Sequence, residues 1–254
     1  MQNFKKNRMK HLWLFIFVFF THVINGQDLF FKATNIIDPE AEINVNAFAK
    51  DDQGFLWLAS NDGLLFSNGD GYLRINILDS IADVAINTIY HEAGKLYLGL
   101  ESGIILTYSI KDRKVISDYD LGHCSIKAIV LDNEKNIWVG TSDLGLFKIT
   151  DSDVSIIDVN FGLADNVVND LLYDDKNNCI WAATDRGLSQ CILGSKQKII
   201  NYNSRNGLPD NLLTSVELDS QNRLWLGSYS GKLALLVDQE IKVIDTHFSN
   251  SIID

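Results

Sequence analysis

The chain is poor in proline, cysteine and positive charge, and each shortage excludes something. It has two prolines and an ordinary 17 glycines in 254 residues, with 46% hydrophobic and 22% charged residues. That profile excludes a disordered or low-complexity chain. Basic residues number 22 against 33 acidic ones. All four basic residues of the first 26 stand where no acid does, so the remainder carries 18 − 33 = −15. A body this acidic repels a phosphate backbone and an anionic membrane surface, so neither nucleic acid nor a membrane surface is expected as a partner. Three cysteines, Cys124, Cys179 and Cys191, are an odd number and make no disulfide framework. Cys179 and Cys191 flank a predicted hairpin turn, where a bridge is one alternative and two half-buried free thiols the favoured one. The cysteines and His91, His123 and His247 show no metal-ligand spacing. Phosphate-cradling loops, the nucleophile elbow, the His-Glu-x-x-His zinc signature and the dinucleotide fingerprint are all missing. No cofactor, metal or catalytic residue is expected.

The basic residues Lys5, Lys6, Arg8 and Lys10 precede a nine-residue apolar run, Leu12 to Phe20, and small Gly26 follows. Charge, apolar core and small residue form the pattern of an export signal, with cleavage expected after Gly26. Nine residues fall short of the roughly 20 that span a bilayer. No second long apolar run follows, so residues 27–254 carry no expected membrane span.

An internal repeat decides the fold class. An apolar residue, an aromatic, then an apolar or small residue lead into a turn near glycine five times. The copies begin at Leu56-Trp57-Leu58, Leu96-Tyr97-Leu98, Ile137-Trp138-Val139, Ile180-Trp181-Ala182 and Leu224-Trp225-Leu226. Their aromatics are 40, 41, 43 and 44 residues apart, and four of the five tryptophans occupy this one position. Each copy reads as four short strands joined by tight turns, a meander of hairpins. In the fifth copy the strands are Leu213 to Asp219, Arg223 to Ser228, Lys232 to Val237 and Glu240 to Asp245.

Three residues before the aromatic stand Gly54, Gly94, Asn178 and Asn222, which tolerate a left-handed backbone. Lys135 stands there in the third copy, with Asn136 after it, so that turn is expected to be longer or shifted. The residues flanking the aromatic are aliphatic in every copy, so both faces of the second strand are buried and the sheets stack face to face. Four-stranded meanders stacked at this spacing are β-propeller blades. The four tryptophans are expected as packing between blades. The units run about 43–77, 84–120, 125–159, 166–203 and 211–245, and a sixth begins at about 250–254. Leu29 to Thr34 is a further strand without a blade to join. Five visible blades therefore read as part of a seven-bladed ring, and the chain as a fragment.

These repeats resemble the two-component-regulator propeller repeat of bacterial sensor proteins. The resemblance rests on Gly162-Leu163-Ala164-Asp165-Asn166 leading to Asp174 and Ile180-Trp181-Ala182-Ala183-Thr184. It rests equally on Gly207-Leu208-Pro209-Asp210-Asn211 leading to Asp219 and Leu224-Trp225-Leu226-Gly227-Ser228. Copies four and five fit best, and copy two is the most divergent. The resemblance implies an exported, periplasmic or extracellular propeller that senses a ligand, often a glycan fragment, and signals through a C-terminal output. A protein partner or dimer is compatible with it. A structural propeller of a surface or secretion assembly and a secreted polysaccharide lyase or hydrolase are the alternatives.

Asp52-Gln53-Gly54-Phe55-Leu56-Trp57 is similar to the Asp-box turn of sialidase-like propellers, without its serine. Asp51, Asp52, Asp174, Asp175 and Asp219 lack the alternating oxygen spacing of a calcium loop and read as solvated hairpin turns. A ligand is expected on the face made by the turns between second and third strands and by the links between blades. Asn61, Asp62, Glu101, Asp143, Asp185, Arg186 and Tyr229 lie there. Arg186 can grip a carboxylate and Tyr229 can stack on a sugar.

Overall fold

The computed structural model describes residues 43–69, 71–77, 84–194 and 198–244. The expected export signal, the strand at Leu29 to Thr34 and the opening of a sixth unit lie outside them. The described residues form five four-stranded antiparallel sheets, each ordered as the chain runs. Sheet one is β1 (Val45–Lys50), β2 (Leu56–Ser60), β3 (Gly63–Ser67) and β4 (Tyr72–Ile75). Sheet two is β5 (Ile86–Glu92), β6 (Lys95–Leu100), β7 (Ile104–Ser109) and β8 (Lys114–Asp120). Sheet three is β9 (Ile126–Leu131), β10 (Ile137–Thr141), β11 (Leu146–Ile149) and β12 (Val154–Ile157). Sheet four is β13 (Val168–Asp174), β14 (Cys179–Thr184), β15 (Gly187–Ile192) and β16 (Lys198–Tyr202). Sheet five is β17 (Leu213–Leu218), β18 (Leu224–Ser228), β19 (Leu233–Val237) and β20 (Glu240–Ile244). The first strands of successive sheets lie against one another, and the fourth strands are the outer edges. Among the described residues there is no α-helix, and none is long and apolar enough to cross a membrane.

The sheets stack by one rule. Trp57, Ala59 and Leu64 of sheet one share a buried cluster with Leu96, Leu98 and Leu106 of sheet two. Tyr97 and Ile105 of sheet two meet Ile137, Val139 and Ile149 of sheet three. Trp138 and Leu146 meet Ile180 and Ala182, and Trp181 and Ala183 meet Leu224 and Leu226. The aromatic face of each sheet thus packs on the aliphatic face of the next. Trp225 departs from the expected core packing. It is half-buried and belongs to none of the four clusters, with the Arg223 guanidinium 5.7 Å from its ring centre. Gly140 shows how close the stacking is. A Cβ there would come within 2.6 Å of the Val168 side chain of the following sheet.

Each tryptophan of the repeat is tied to the turn before it. Its indole N–H donates to the aspartate that ends the first strand. The pairs are Trp57 with Asp51 (2.9 Å), Trp138 with Asp132 (2.9 Å), Trp181 with Asp174 (3.1 Å) and Trp225 with Asp219 (2.9 Å). The same carboxylates accept turn N–H groups, from Phe55, Asn136, Asn177 and Arg223. Asp51 and Asp174 are therefore buried, at 7% and 3% exposure, and not solvated as the sequence suggested. Their partners replace water in full, which is how a buried carboxylate persists. Asp219 is held well below the usual carboxylate range, first by the Trp225 indole and then by the Arg223 and Gln221 donors.

The third turn is not displaced either. Lys135 itself takes the left-handed backbone, φ 66°, where Asn222 has 57°. The Asp132 cap and the Lys135 N–H bond to Asp132 C=O hold it there. The longer turn is the fourth, where Asp174 stands seven residues before its tryptophan against six in the others.

The Gly-Leu-x-x-Asn lead also has a physical meaning. Gly162 and Gly207, both at φ 101°, close the short 3-10 turns Val159–Phe161 and Ser204–Asn206 between sheets. Leu163 and Leu208 plug the clusters below. Asn166 and Asn211 accept from the N–H of Val159 and Ser204.

All three cysteines are free and buried. Cys179 pairs across its hairpin with Ile192, and Cys191 with Ile180, so their side chains leave opposite faces of sheet four into different clusters. No bridge can join them.

Candidate functional site

The second-to-third-strand turns are built by another repeated contact. A hydroxyl at the end of the second strand donates across the turn to a carbonyl. Ser60 reaches Gly63 (2.8 Å), Thr141 reaches Gly145 (2.9 Å), Thr184 reaches Gly187 (2.7 Å) and Ser228 reaches Lys232 (3.0 Å). The next residue's N–H then bonds the segment entering the first strand. Asn61 bonds Asn44, Glu101 bonds Ala85, Ser142 bonds Ser125, Asp185 bonds Val167 and Tyr229 bonds Leu212. The seven residues singled out from sequence therefore all sit on turns at one end of the stack, each on its own sheet or beside one sheet-mate.

Their environments differ. Arg186 is largely exposed, yet its Nε lies 2.9 Å from a carboxylate oxygen of Asp165 on the preceding link. Asp185 accepts from the Asn169 side-chain amide at 2.8 Å. Glu101 accepts from Asn87 at 2.9 Å. Asp143 accepts from the Ser142 hydroxyl at 3.2 Å. The Asp62 carbonyl accepts from Arg74. Tyr229 stands out at 78% exposure. The end thus presents spaced carboxylates, the guanidinium groups of Arg186 and Arg74 and one free-standing phenol ring, positioned but not drawn together into one cluster.

Sequence reasoning missed the groups that support them. The first strands carry a bulge near their start. Asn46, Asn87 and Asn169 occupy it and reach the next sheet. Asn46 donates to the Ile86 carbonyl (2.9 Å), Asn87 to the Ser125 hydroxyl (2.7 Å) and Asn169 to the Leu213 carbonyl (2.8 Å). Asp170, beside Asn169, accepts from the N–H of Val216 and of Leu171, both at 2.9 Å. Burial pushes its carboxyl up to about 6 despite these two donors. The signal was present as an asparagine at a fixed offset before the first strand's aliphatics. Without the bulge it reads as an ordinary strand residue.

Two clefts open at the opposite end, where the first-to-second and third-to-fourth turns lie. One of about 490 Å³ lies between sheets four and five, over Trp181, Tyr202, Leu224 and Leu236, with Asn177, Gln221, Asn222 and Gln239 on its rim. One of about 350 Å³ lies between sheets three and four, beside Asp132, Lys148 and Tyr173. Both volumes fall in or near the range of small-molecule sites. Among the described residues no group of three or more potential metal ligands occurs.

The fold is that of several solved propeller structures. One is the extracellular domain described as that of a one component system of B. thetaiotaomicron. It has 15% identity and a TM-score of 0.51, over 84% of this chain and 36% of that one. A second is the extracellular domain of a hybrid two component system from the same organism, with 21% identity and a TM-score of 0.50, over 79% and 34%. The chain spans about a third of the length of those domains. A third is a catalytically inactive virginiamycin B lyase of Staphylococcus aureus solved with quinupristin, with 12% identity and a TM-score of 0.67, over 84% and 73%. No curated protein matches the chain. Residues 120–143 and 207–230 match the family model described as two component regulator propeller. These stretches hold the first two strands of sheets three and five, so the third copy carries the match although it lacks the Gly-Leu-x-x-Asn lead. The match likens these two stretches, in sheets three and five, to the two component regulator propeller repeat.

Proposed function

We propose that the chain is an exported, non-enzymatic sensing module of a bacterial signalling receptor, and that it binds a small extracellular ligand at the end carrying Arg186 and Tyr229. The observation that carries this reading is the match of residues 120–143 and 207–230 to the two component regulator propeller model. The fold likeness to an extracellular sensor domain and the signal-like first 26 residues support it. Arg186 offers a guanidinium whose Nη groups can fork onto a carboxylate while Asp165 holds its Nε. Tyr229 offers a flat face on which a sugar can stack. Asp62, Asp143 and Asp185 supply acceptors for hydroxyl groups.

The test is a thermal-shift screen of the full chain against soluble oligosaccharides, including uronate-containing ones. Any hit is followed by calorimetric titration and by mass spectrometry of the recovered ligand. The reading requires a hit that binds without conversion and loses at least about tenfold in affinity, ~1.4 kcal/mol, in Arg186→Ala and in Tyr229→Ala. A hit indifferent to both substitutions sinks the site. Conversion of the ligand sinks the non-enzymatic reading and favours a lyase or hydrolase, for which the likeness to the virginiamycin B lyase fold gives a reason to look.

A further inference from the structure

Among the described residues, every sheet ends in an outer strand with no further strand paired to it, and such edges are ordinarily blunted with charge. Four of the five follow that rule. β4 carries Arg74, β8 carries Lys114, Asp118 and Asp120, β16 carries Lys198, and β20 carries Glu240 and Lys242. The exception is β12, Val-Ser-Ile-Ile, which has no charged residue. Its Val154 and Ile156 are 46% and 45% exposed.

The pairing also fixes which backbone groups are free. The Thr150 N–H bonds the Asp153 carbonyl at 2.8 Å and closes the β11–β12 hairpin. Alternation along an antiparallel ladder then turns Ser155 and Ile157 inward to Lys148 and Leu146. The N–H and C=O groups of Val154 and Ile156 point outward.

The link that follows gives an internal control. Val159–Phe161 and Ser204–Asn206 are 3-10 turns of equal length. Each has a side-chain cap at its start, Asp158 or Asn203, and a glycine at φ 101° at its end. Ser204, Arg205 and Asn206 perform the structural task with polar side chains. Phe161, at the place of Asn206, is 71% exposed, and Val159, at the place of Ser204, is 46% exposed. The fold does not need these apolar groups. They continue the apolar edge of β12 past its end.

We infer that β12 is a strand-addition site for an extended segment of a partner protein, alternately apolar and flanked by basic residues. Charge selects this occupant. Asp151 and Asp153 stand before the strand and Asp158 after it. Antiparallel pairing with a second copy would bring each chain's Asp151 and Asp153 toward the other's Asp158, which is unfavourable. Lysine or arginine at both ends of an incoming strand meets those carboxylates instead. The added ladder supplies affinity, and Val154, Ile156 and Phe161 supply specificity. β12 itself carries none of the residues named for the ligand, so Ile156→Pro reads this edge alone and either reading can fail alone.

The test uses the full chain and two fluorescein-labelled peptides, Lys-Val-Thr-Val-Thr-Val-Lys and its Glu-flanked counterpart, read by anisotropy. The basic-flanked peptide is expected to bind saturably and at least about fivefold tighter than the acid-flanked one, with the difference shrinking in high salt. Ile156→Pro removes an outward N–H while leaving the pairing with β11 intact. Phe161→Asn copies the other link. Each is expected to weaken binding at least about fivefold. If Ile156→Pro does not fold, Val154→Lys reads the same edge. Equal binding of both peptides overturns the proposal, as does binding indifferent to the edge variants. Self-association of the chain that these variants abolish also overturns it, because the occupant would then be a second copy.

Discussion

The contact between Asp132 and Trp138 gives a quantity that can be worked out and measured. Asp132 is 4% exposed and Trp138 1%. One carboxylate oxygen accepts from the indole N–H at 2.9 Å and from the Asn136 side chain at 2.8 Å, and the other accepts from the Asn136 N–H at 2.9 Å. Asp132→Ala removes all three bonds and leaves the indole donor buried without a partner. A stranded buried donor costs about 1–3 kcal/mol, and a lost turn cap costs about 0.5–1.5 kcal/mol more. The sum is about 1.5–4.5 kcal/mol. Asp132→Asn does no better at the indole, since an amide that keeps its oxygen on the Asn136 N–H turns its NH₂ toward a second donor. Trp138→Phe deletes the indole N–H, so the double variant should lose less than the two single variants together. A coupling of about 1–2 kcal/mol is expected. Denaturant unfolding of the four proteins of the cycle, followed by far-ultraviolet circular dichroism, measures it. A coupling within about 0.3 kcal/mol of zero, or an Asp132→Ala loss below about 0.5 kcal/mol, would mean that the repeated bond is a geometric accompaniment of the turn and not a source of stability.

Other consequences are simpler to state. The Asp170 carboxyl is raised to about 6 from 3.8. Its contribution to stability is fully present at low pH and is lost as pH rises through about 6. The full difference is about 3 kcal/mol, so Asp170→Asn should flatten that part of the urea-midpoint profile between pH 4 and 7, and an unchanged profile refutes it. A Cβ on Gly187, at φ 132°, would lie 2.2 Å from the Tyr202 carbonyl, whereas at Gly231 it meets nothing. Gly187→Ala should therefore lower stability by about 2–4 kcal/mol and Gly231→Ala by about 1, and thermal melts giving equal losses would refute the close-contact argument. Burial pushes the Cys179 and Cys191 thiols up to about 11 and about 12. A thiol reagent at pH 8 should find no reactive cysteine in the folded chain and three in denaturant, with reduction changing neither count.

The repeat was legible because its signal is redundant. Five aromatics in register, aliphatic neighbours and turn residues at fixed offsets all point to the same stacked meander, and the strands of sheet five fall within a residue of their expected places. The hidden parts depend on what lies across a sheet interface. Nothing local tells that Asp51, Asp132 and Asp174 reach back to an indole six or seven residues on, so a turn aspartate reads as solvated. Nothing local tells that Asn46, Asn87 and Asn169 sit in bulges facing the next sheet. Lys135 in a left-handed backbone shows the opposite case, where an unsuitable residue is held by the Asp132 cap and by the packed tryptophan beyond it. The end proposed for the ligand follows from topology alone, since the turns that carry its residues follow from strand order. The clefts at the other end arise from gaps between sheets that no strand pattern records.

A protein built from copies of one unit separates structural from functional residues without any second sequence. Where copies agree, the fold supplies the reason. The aromatic is buried against the next sheet, the aspartate holds it, and the hydroxyl after the second strand closes a turn. Where copies differ at a buried place, the packing is kept even where the bond is not, as at His91, whose buried Nε2 makes no hydrogen bond among the described residues. The second sheet has Tyr97 in place of tryptophan and His91 in place of aspartate, and its aromatic face still packs on sheet three. Where copies differ at an exposed place, no packing reason remains. Phe161 against Asn206, Tyr229 against Asp185 and an uncharged β12 against four charged edges are differences of that last kind. They expose apolar or aromatic surface that water disfavours and that another copy does without. They divide between two regions, the outer edge of sheet three and the turn end of sheets four and five. A receptor module that binds a ligand at one place and a partner strand at another would carry its deviations in that distribution, and substitutions confined to either region should affect one binding event and leave the other.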